Sequence, residues 1–543
     1  MVISRAFTHF CAITNAAEYH HRSRRNEETL RSNNASGSVG ALGPQADSCG
    51  GVIPVLAEKH SAQEIFDAIT SQTVELVLTA HPTEVNRRTL ISKHKRIQEM
   101  LTEADNLRAS GIDRVTPYQK ELVDSCLERE IGLIWQSDDV SREKPTPQNE
   151  AARGTLVIET VLWKALPKFL RKLDATMKSS LGEEYALPLT VAPIKFSSWM
   201  GGDRDGNPNV TPNVTREVCL SNRDRAAKLF REDISEIAGR LSTTYCNDEL
   251  RAIVGEEARE PYRDYLNQIV AKLNLTRTWA KQELEHLQKG SSSSEIIDVK
   301  DIYLRKEDLL SDILIIYKSL CDTNNTLTAN GRVLDVLRNL SAFGLTLVPL
   351  DVRQESTRHT EALDSVTRHL GLGSYEQWDE STKISWLQKE LSSSRPLIRS
   401  GDWENNPDIF SPTAVDTLET FRMIAEQHDD SLGAYVISQA TSASDVLAVL
   451  LLQRDAGVQN PLRVVPLFET LDDLNGAADT MDTLFSLPAY KGSIDGKQEV
   501  MIGYSDSAKD AGRLAASWAQ YETQEELVSR IISKSLENTY WSS

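Results

Sequence analysis

Apolar residues recur at two spacings along the chain, and these spacings predict its secondary structure. Three- and four-residue spacing, which places apolar side chains on one helix face, is found in LVDSCLEREIGLIW (122–135), KDIYLRKEDLLSDILIIYKSL (300–320) and TAVDTLETFRMIAEQH (413–428). Six shorter runs are continuously apolar, as buried parallel strands tend to be. They are VELVLT (74–79), PIKFSSW (193–199), GLTLVPLDV (344–352), GAYVIS (433–438), RVVPLF (463–468) and EVMIGY (499–504).

The order of these elements predicts an α/β fold with a parallel sheet, because strands alternate with helices along the chain. Polar residues come directly after most of the strands: His81, Asp203, Arg204, Arg353, Glu469, Asp506 and Lys509. Functional groups at the carboxyl ends of strands are typical of a (β/α)8 barrel, although an open doubly wound sheet obeys a related rule. We expect a helix-rich TIM-type barrel that is incomplete, since about six of its eight strands can be found.

Composition narrows the class of protein. The chain has 543 residues, of which 40% are hydrophobic and 26% charged, and no run reaches the roughly 20 apolar residues of a membrane helix. The net charge of −19 argues against a nucleic-acid partner but allows a local group of arginines to hold a small anion. The scattered cysteines indicate a reducing, cytoplasmic location. We expect one large domain over residues 1–543, with flexible insertions near 33–51 and 289–295.

Two histidine- and arginine-bearing segments are candidates for chemistry. In ELVLTAHPTEVNRRTL, His81 follows a buried strand and can move protons near neutral pH, while Arg87 and Arg88 either hold phosphate or pair with acids on a helix face. In LDVRQES, Arg353 lies at a strand end, and its planar guanidinium suits phosphate or carboxylate. A salt bridge with Glu355 at the helix start is the alternative for Arg353.

The loop FSSWMGGDRDGNPNVT has the spacing of a metal- or phosphate-binding loop but fails both patterns. An EF-hand needs glycine where Pro208 stands and glutamate where Val214 stands, and a Walker loop needs a following Gly-Lys-Ser/Thr. The plainest interpretation is a knot of ion pairs among Asp203, Arg204 and Asp205 that shapes the turn.

Two acids on successive strands are candidate metal ligands. Glu469 in VVPLFETLDDL and Asp506 in MIGYSDSAKDAG are 37 residues apart, and each follows a buried strand. Two carboxylates with substrate oxygens and waters commonly bind Mg²⁺ or Mn²⁺, whereas solvated loop acids are the alternative. The GYSDS segment also approaches the GxSxG pattern of serine hydrolases, but Ser507 replaces the second glycine.

Taken together, these strings resemble the motifs of the phosphoenolpyruvate carboxylase family, from about Ala6 to about Val528. The resemblance implies carboxylation of phosphoenolpyruvate by bicarbonate to oxaloacetate and phosphate, in a cytoplasmic, allosteric homotetramer. It implies catalytic roles for His81, Arg353 and Lys509, the last near bicarbonate. It also implies a substrate pocket that includes Trp199, Arg204, Arg87 and Arg88, and a divalent metal on Glu469 and Asp506.

The end of the chain departs from the family pattern. Members carry a GRGG loop shortly after the SDSAKDAG helix, whereas this sequence ends with SRIISKSLENTYWSS. We therefore expect an N-terminal part of a carboxylase, without the last two barrel strands and with doubtful activity. The alternative functions are an inert fragment or partner of full-length subunits, and another barrel enzyme that acts on phosphoenolpyruvate. The arginine-rich first 25 residues also suit a transit peptide, although an internal family helix fits them better.

Overall fold

A computed structural model describes residues 2–35, 48–79, 88–109, 116–138, 145–290, 297–393, 395–399, 401–428, 430–494, 496–533 and 538–542. The chain forms two compact units. The first comprises residues 1–71, 81–145 and 169–187, and the second comprises residues 72–80, 146–168 and 188–543. The expected single domain stays a prediction, and the expected flexible insertions fall largely on residues 36–47 and 291–296, outside the described residues.

Helices account for most of the described chain. The helices up to the second strand are α1 (Val2–Ala35), α2 (Cys49–Ala57), α3 (Ala62–Ser71), α4 (Arg88–Ala109), α5 (Pro117–Trp135), α6 (Pro147–Val157) and α7 (Trp163–Leu181). Those up to the fourth strand are α8 (Pro212–Arg240), α9 (Asp248–Val254), α10 (Pro261–Lys289), α11 (Lys306–Asp322), α12 (Thr326–Thr328), α13 (Leu334–Phe343), α14 (Ser356–His369), α15 (Glu380–Leu391) and α16 (Pro412–Glu426). The remainder are α17 (Ala443–Asp455), α18 (Leu471–Phe485), α19 (Pro488–Ser493), α20 (Tyr504–Ala511) and α21 (Arg513–Ser533). The three segments predicted as helical overlap α5, α11 and α16.

All strands of the second unit join one parallel sheet in which they follow each other in chain order. They are β1 (Val74–Leu78), β2 (Ile194–Ser198), β3 (Leu350–Glu355), β4 (Leu432–Ser438), β5 (Arg463–Phe468), β6 (Lys497–Ile502) and β7 (Asn538–Ser542). Each of the first six overlaps one of the six predicted strands, so the predicted parallel α/β class is confirmed. Each return from one strand to the next runs through helices, as parallel pairing requires.

The third strand begins later than predicted. The apolar run from Gly344 is buried, but its first residues form a turn after α13, in which Leu347 has φ 64° and the Val348 N–H donates to the Thr346 carbonyl. Leu347 is fully buried. A continuous apolar run reports burial and does not by itself distinguish strand from turn. Arg353 consequently lies within β3, near its carboxyl end.

The sheet curls strongly on itself. Arg463 on β5 contacts Glu75 on β1 through an Nη2–Oε2 distance of 2.8 Å. In a flat sheet these strands would lie about 19 Å apart, at roughly 4.8 Å per strand. The structure therefore shows part of a barrel. Among the described residues β1 and β7 do not pair, so the complete TIM-type closure stays a prediction.

The two faces of the curled sheet differ in what they bury. The inner face carries a small apolar cluster of Ala434, Val436, Val465, Leu467 and Met501, against which Trp199 packs. The outer face packs against helices and forms the main core of the unit, which includes Val352, Tyr435 and Phe421. Within the described part of the chain, no helix is both long and apolar enough to cross a membrane.

Candidate active site at the carboxyl ends of the strands

The carboxyl ends of β2, β3, β5 and β6 bring together most of the predicted site residues that the structure describes. Trp199 follows β2, Arg353 lies near the end of β3, Glu469 follows β5, and Asp506 lies in the first turn of α20 after β6. The parallel sheet directs these ends to one edge. The shared edge is the reason why residues far apart in sequence can act on one ligand.

Arg353 is the centre of this group. Its Nε donates to Asp203 Oδ1 at 2.7 Å and its Nη2 donates to Asp203 Oδ2 at 2.9 Å, while Asp205 Oδ2 lies 3.6 Å from Nη2. The loop backbone reinforces this pairing, because Arg353 N donates to the Gly202 carbonyl and Arg204 N donates to the Arg353 carbonyl. Burial alone would lower the pKa of Arg353, but the carboxylates, Asp203 foremost, raise it above its ordinary value. The guanidinium therefore stays charged.

Trp199 forms one wall of the site. The Arg353 guanidinium carbon lies 4.8 Å from the centre of the Trp199 ring, within the range of a cation–π contact. The indole Nε1 donates to Asp351 Oδ2 at 3.2 Å. Trp199 is thus held at its edge by one residue of β3 and on its face by another.

Glu469 is placed by the end of β5. Its Oε1 accepts a hydrogen bond from the Gln439 N–H at 3.0 Å, and its side chain is only 7% exposed. The backbone of Gly503 passes so close that a Cβ there would meet the Glu469 Cβ at 2.7 Å. Burial raises the pKa of the Glu469 carboxyl and the charges of Asp205 and Asp506 raise it further, against the hydrogen bond from Gln439 and the charge of Arg353, which lower it.

Asp506 and Lys509 form a pair on α20. Lys509 Nζ donates to Asp506 Oδ1 at 2.8 Å; the Lys509 side chain is largely exposed and that of Asp506 is half-buried. This hydrogen bond lowers the pKa of Asp506. Asp506 is therefore an ionised carboxylate close enough to Glu469 and Arg353 to influence both.

The charge balance of the site fits a divalent cation. Four carboxylates, Asp203, Asp205, Glu469 and Asp506, face two cationic side chains, Arg353 and Lys509, which leaves a formal charge of −2. Carboxylate oxygens are the ligands that Mg²⁺ and Mn²⁺ prefer. The described residues contain no group of three or more His, Cys, Asp or Glu side chains arranged to hold a metal by themselves. Glu469 and Asp506 would thus share a cation with substrate or water oxygens.

Arg204 lies apart from this group. It is 5% exposed, and its guanidinium donates to the Gly202 carbonyl at 3.1 Å and to Thr215 Oγ1 at 2.8 Å. Thr215 belongs to α8, which begins after the N-cap Thr211. Arg204 therefore ties the loop to α8, and its substrate contact stays a prediction.

Three other predicted residues cannot be placed in this way. His81 and Arg87 lie outside the described residues. Arg88 begins α4, but its side chain also lies outside them. The expected ion-pair knot in the loop exists in altered form, because Asp203 and Asp205 pair with Arg353 of β3 and not with Arg204.

Two residues of the site were not anticipated from the sequence. Asp351 stands two positions before Arg353, and the two-residue period of a strand could have placed both on one face. Gln439 presents its N–H to Glu469 from a backbone with φ 52°, a conformation that glutamine rarely adopts. No local sequence signal predicts that geometry.

Comparisons with known proteins identify the family. Residues 1–537 match the family model described as phosphoenolpyruvate carboxylase. A phosphoenolpyruvate carboxylase of Acinetobacter baumannii is 43% identical over 97% of this chain and 56% of its own length, and one of Solanum tuberosum is 43% identical over 97% and 55%. Phosphoenolpyruvate carboxylase 1 of Arabidopsis thaliana is 46% identical over 86% of this chain and 48% of its own length. The chain spans about half the length of these relatives and corresponds to their N-terminal part. It belongs to the phosphoenolpyruvate carboxylase family.

Proposed function

We propose that this chain carries one side of a site that carboxylates phosphoenolpyruvate with bicarbonate to give oxaloacetate and phosphate. The observation that carries the proposal is the Arg353–Asp203 ion pair, stacked on Trp199 and adjacent to Glu469 and Asp506. An oriented guanidinium beside a carboxylate pair suits a substrate that bears both a phosphate and a carboxylate. The family membership supports the same reaction.

Different residues of the chain would bind the substrate, the metal ion and bicarbonate. Arg353 holds phosphoryl or carboxylate oxygens, with its orientation set by Asp203, and Trp199 closes one wall against water. Glu469 and Asp506 would hold Mg²⁺ or Mn²⁺, which when bound supplies Lewis-acid stabilisation of negative charge on substrate oxygens. Lys509 lies beside Asp506 on α20 and would hold bicarbonate at the rim. Arg87 and Arg88 would add positive charge from the segment after β1.

The proposed chemistry has three steps that balance. A bicarbonate oxygen attacks the phosphorus atom, and the bond from phosphorus to the enol oxygen breaks, which gives carboxyphosphate and the enolate of pyruvate. His81 takes the proton of carboxyphosphate, and cleavage of its carbon–oxygen bond releases CO₂ and phosphate. C3 of the enolate then attacks CO₂. In sequence His81 follows strand β1, and functional groups after the carboxyl ends of parallel strands are typical of general-base chemistry in barrel enzymes.

The test is oxaloacetate formation by the purified chain with phosphoenolpyruvate, bicarbonate and Mg²⁺, followed as NADH loss with malate dehydrogenase. A bicarbonate-free reaction is the control. Bicarbonate-dependent turnover, abolished in an Arg353→Ala variant, would support the proposal. A folded chain that neither turns over nor binds phosphoenolpyruvate in the presence of Mn²⁺ would contradict it.

A second candidate function is that of a partner subunit: the chain would be active only when another polypeptide supplies the rest of the active site. The observation that favours it is an apolar face on α21, where Leu514, Trp518 and Tyr521 are 88%, 63% and 53% exposed. Their four- and three-residue spacing places them on one side of the helix. Co-expression with the C-terminal part of the Acinetobacter relative would produce bicarbonate-dependent activity under this hypothesis, and Trp518→Ser would reduce it.

Cytoplasmic location, a homotetramer in a complete enzyme and allosteric control complete the proposal. They rest on the family resemblance and on the cysteine pattern. Size-exclusion chromatography with light scattering would test the oligomeric state directly.

A further inference from the structure

We propose that Asp351 is a positioning residue that holds the Trp199 indole against Arg353 and thereby sets the affinity of the site for phosphoenolpyruvate. The inference deepens the proposed function and, for its effect on ligand affinity, rests on it. The link between Asp351 and Trp199 can be tested without any activity.

Both oxygens of the Asp351 carboxylate accept a hydrogen bond. Oδ1 accepts the Ala434 N–H at 2.7 Å and Oδ2 accepts the Trp199 Nε1–H at 3.2 Å. Asp351 is 3% exposed. A buried carboxylate costs free energy unless it is hydrogen-bonded, so two such bonds on one buried side chain indicate a specific arrangement and not a chance contact.

The backbone around Asp351 is built to admit its side chain. Leu350 pairs with Leu432 and Val352 pairs with Tyr435, so two residues of β4, Gly433 and Ala434, oppose Asp351 alone. This is the count of a β-bulge, a feature that commonly re-aims a side chain beside an active site.

Gly433 supplies the necessary space. A Cβ at this position would lie 2.2 Å from Asp351 Oδ1, so a larger residue would displace the carboxylate. The bulge and the glycine together allow the carboxylate to take the Ala434 N–H.

Asp351 and Arg353 contact the same indole ring because they are two residues apart on β3. Residues two apart on a strand point to the same face, here the inner face of the curled sheet. Asp351 holds the edge of the indole and Arg353 lies over its face. Loss of the edge contact would let the indole rotate about its side-chain bonds and would leave Arg353 without its stacking partner.

The charged groups that act on Asp351 from other strands of the curled sheet are Glu75 on β1, Arg463 on β5 and Glu499 on β6. Burial raises the pKa of Asp351 to about 7, and the hydrogen bond from Ala434 opposes that shift. The state of the carboxyl therefore changes within an accessible pH range, which provides a spectroscopic handle.

The test uses the full chain labelled with ¹⁵N-tryptophan. Nine indole resonances are expected, and Trp199→Phe identifies that of Trp199. We expect Asp351→Asn to move the Trp199 Nε1–H resonance and to weaken phosphoenolpyruvate binding about fivefold, the worth of one hydrogen bond. The matched control is Asp233→Asn, because Asp233 accepts the Trp163 Nε1–H at 2.8 Å away from the site. It should move only the Trp163 resonance and leave the affinity unchanged.

Each outcome decides a separate point. An unmoved Trp199 resonance in Asp351→Asn would overturn the positioning role, and a moved resonance with unchanged affinity would overturn its functional consequence. If the wild-type chain binds no phosphoenolpyruvate, the proposed function fails while the resonance still tests the link. If Asp351→Asn does not fold, hydrogen exchange of the wild-type Trp199 Nε1–H provides the test: protection from exchange by its hydrogen bond to Asp351 is expected, and unprotected exchange contradicts the proposal. A titration of the same resonance from pH 5.5 to 8.5 reports only the pKa of Asp351.

Discussion

Arg353 and Asp203 form a bidentate ion pair in which Nε meets Oδ1 at 2.7 Å and Nη2 meets Oδ2 at 2.9 Å. The pair joins the loop after β2 to strand β3, 150 residues further along the chain. Both partners are mostly buried, with side-chain exposures of 15% for Arg353 and 28% for Asp203. The guanidinium is therefore oriented before any ligand arrives, and its Nη1 makes no hydrogen bond to the described residues.

The first prediction concerns this orientation. Asp203→Asn keeps the shape of the side chain but removes its charge, so Arg353 loses a charge-assisted partner. We expect phosphoenolpyruvate binding to weaken about tenfold, as a charge-assisted hydrogen bond worth about 1.5 kcal/mol implies. Isothermal titration calorimetry in the presence of Mn²⁺ measures the affinity of both proteins for phosphoenolpyruvate.

The matched control for this variant is Asp224→Asn. Asp224 pairs with Arg277 Nε at 2.9 Å with side-chain exposures of 24% and 19%, similar to those of the site pair, but on helices α8 and α10. It should leave the affinity unchanged. Equal losses in both variants would mean that the effect is one of general stability.

The second prediction concerns the metal. Glu469→Gln and Asp506→Asn should each reduce Mn²⁺ affinity by at least tenfold, because each removes one of the two proposed carboxylate ligands. Electron paramagnetic resonance of free Mn²⁺ measures the loss. Asp479→Asn, on an exposed face of α18, is the control. Unchanged Mn²⁺ binding in both site variants would place the metal elsewhere.

The same site predicts the pH dependence of metal binding. A carboxyl must lose its proton to bind a cation, and burial raises the pKa of Glu469 above its ordinary value. We therefore expect Mn²⁺ affinity to increase as pH rises through this raised pKa, at a higher pH than for an ordinary glutamate. Glu469→Gln should remove this increase. The same titration in both proteins provides the comparison.

Much of this arrangement could be predicted from the sequence, because strand position alone brings residues together in a parallel sheet. Six apolar runs gave six strands, and Trp199, Arg353, Glu469 and Asp506 follow or end four of them. The partner of Arg353 could not be predicted, since the adjacent Glu355 and the loop acid Asp203 are equally reasonable by charge. Only the pairing of the loop with β3 decides between them.

The burial of two charged side chains, Arg204 and Asp351, could not be predicted from the sequence either. Arg204 stands in the middle of the loop motif, yet it turns inward to Thr215. Asp351 is an acid within an apolar strand, and its place depends on a bulge that no local pattern signals. In both cases a charged side chain is paired by contacts that exist only after the sheet and helices have packed.

The fourth prediction follows from the position of Arg204. Arg204→Met should lower the free energy of unfolding by about 3 kcal/mol, because it removes two buried charge-assisted hydrogen bonds, to the Gly202 carbonyl and to Thr215 Oγ1, each worth about 1.5 kcal/mol. Arg240→Met is the control, since Arg240 is 69% exposed in its pair with Glu236 and should change stability by less than about 1 kcal/mol. Urea denaturation measures both. An Arg204 variant as stable as the control, with lost ligand binding, would instead support the original substrate contact.

The last prediction concerns His359 on the outer face of the sheet. Its side chain is fully buried, its Nε2 lies 2.7 Å from the Tyr435 hydroxyl, and burial lowers its pKa to about 3. Between pH 6.5 and 3 the unfolded chain binds a proton at this histidine that the folded chain does not bind. The folded state therefore loses stability as pH falls through this window, by up to about 1.4 kcal/mol per pH unit. His359→Gln retains a partner for Tyr435 but cannot be protonated. Urea midpoints of both proteins at pH 7.0 and 5.5 should show a smaller acid loss in the variant, and equal losses would mean that His359 gains its proton without unfolding.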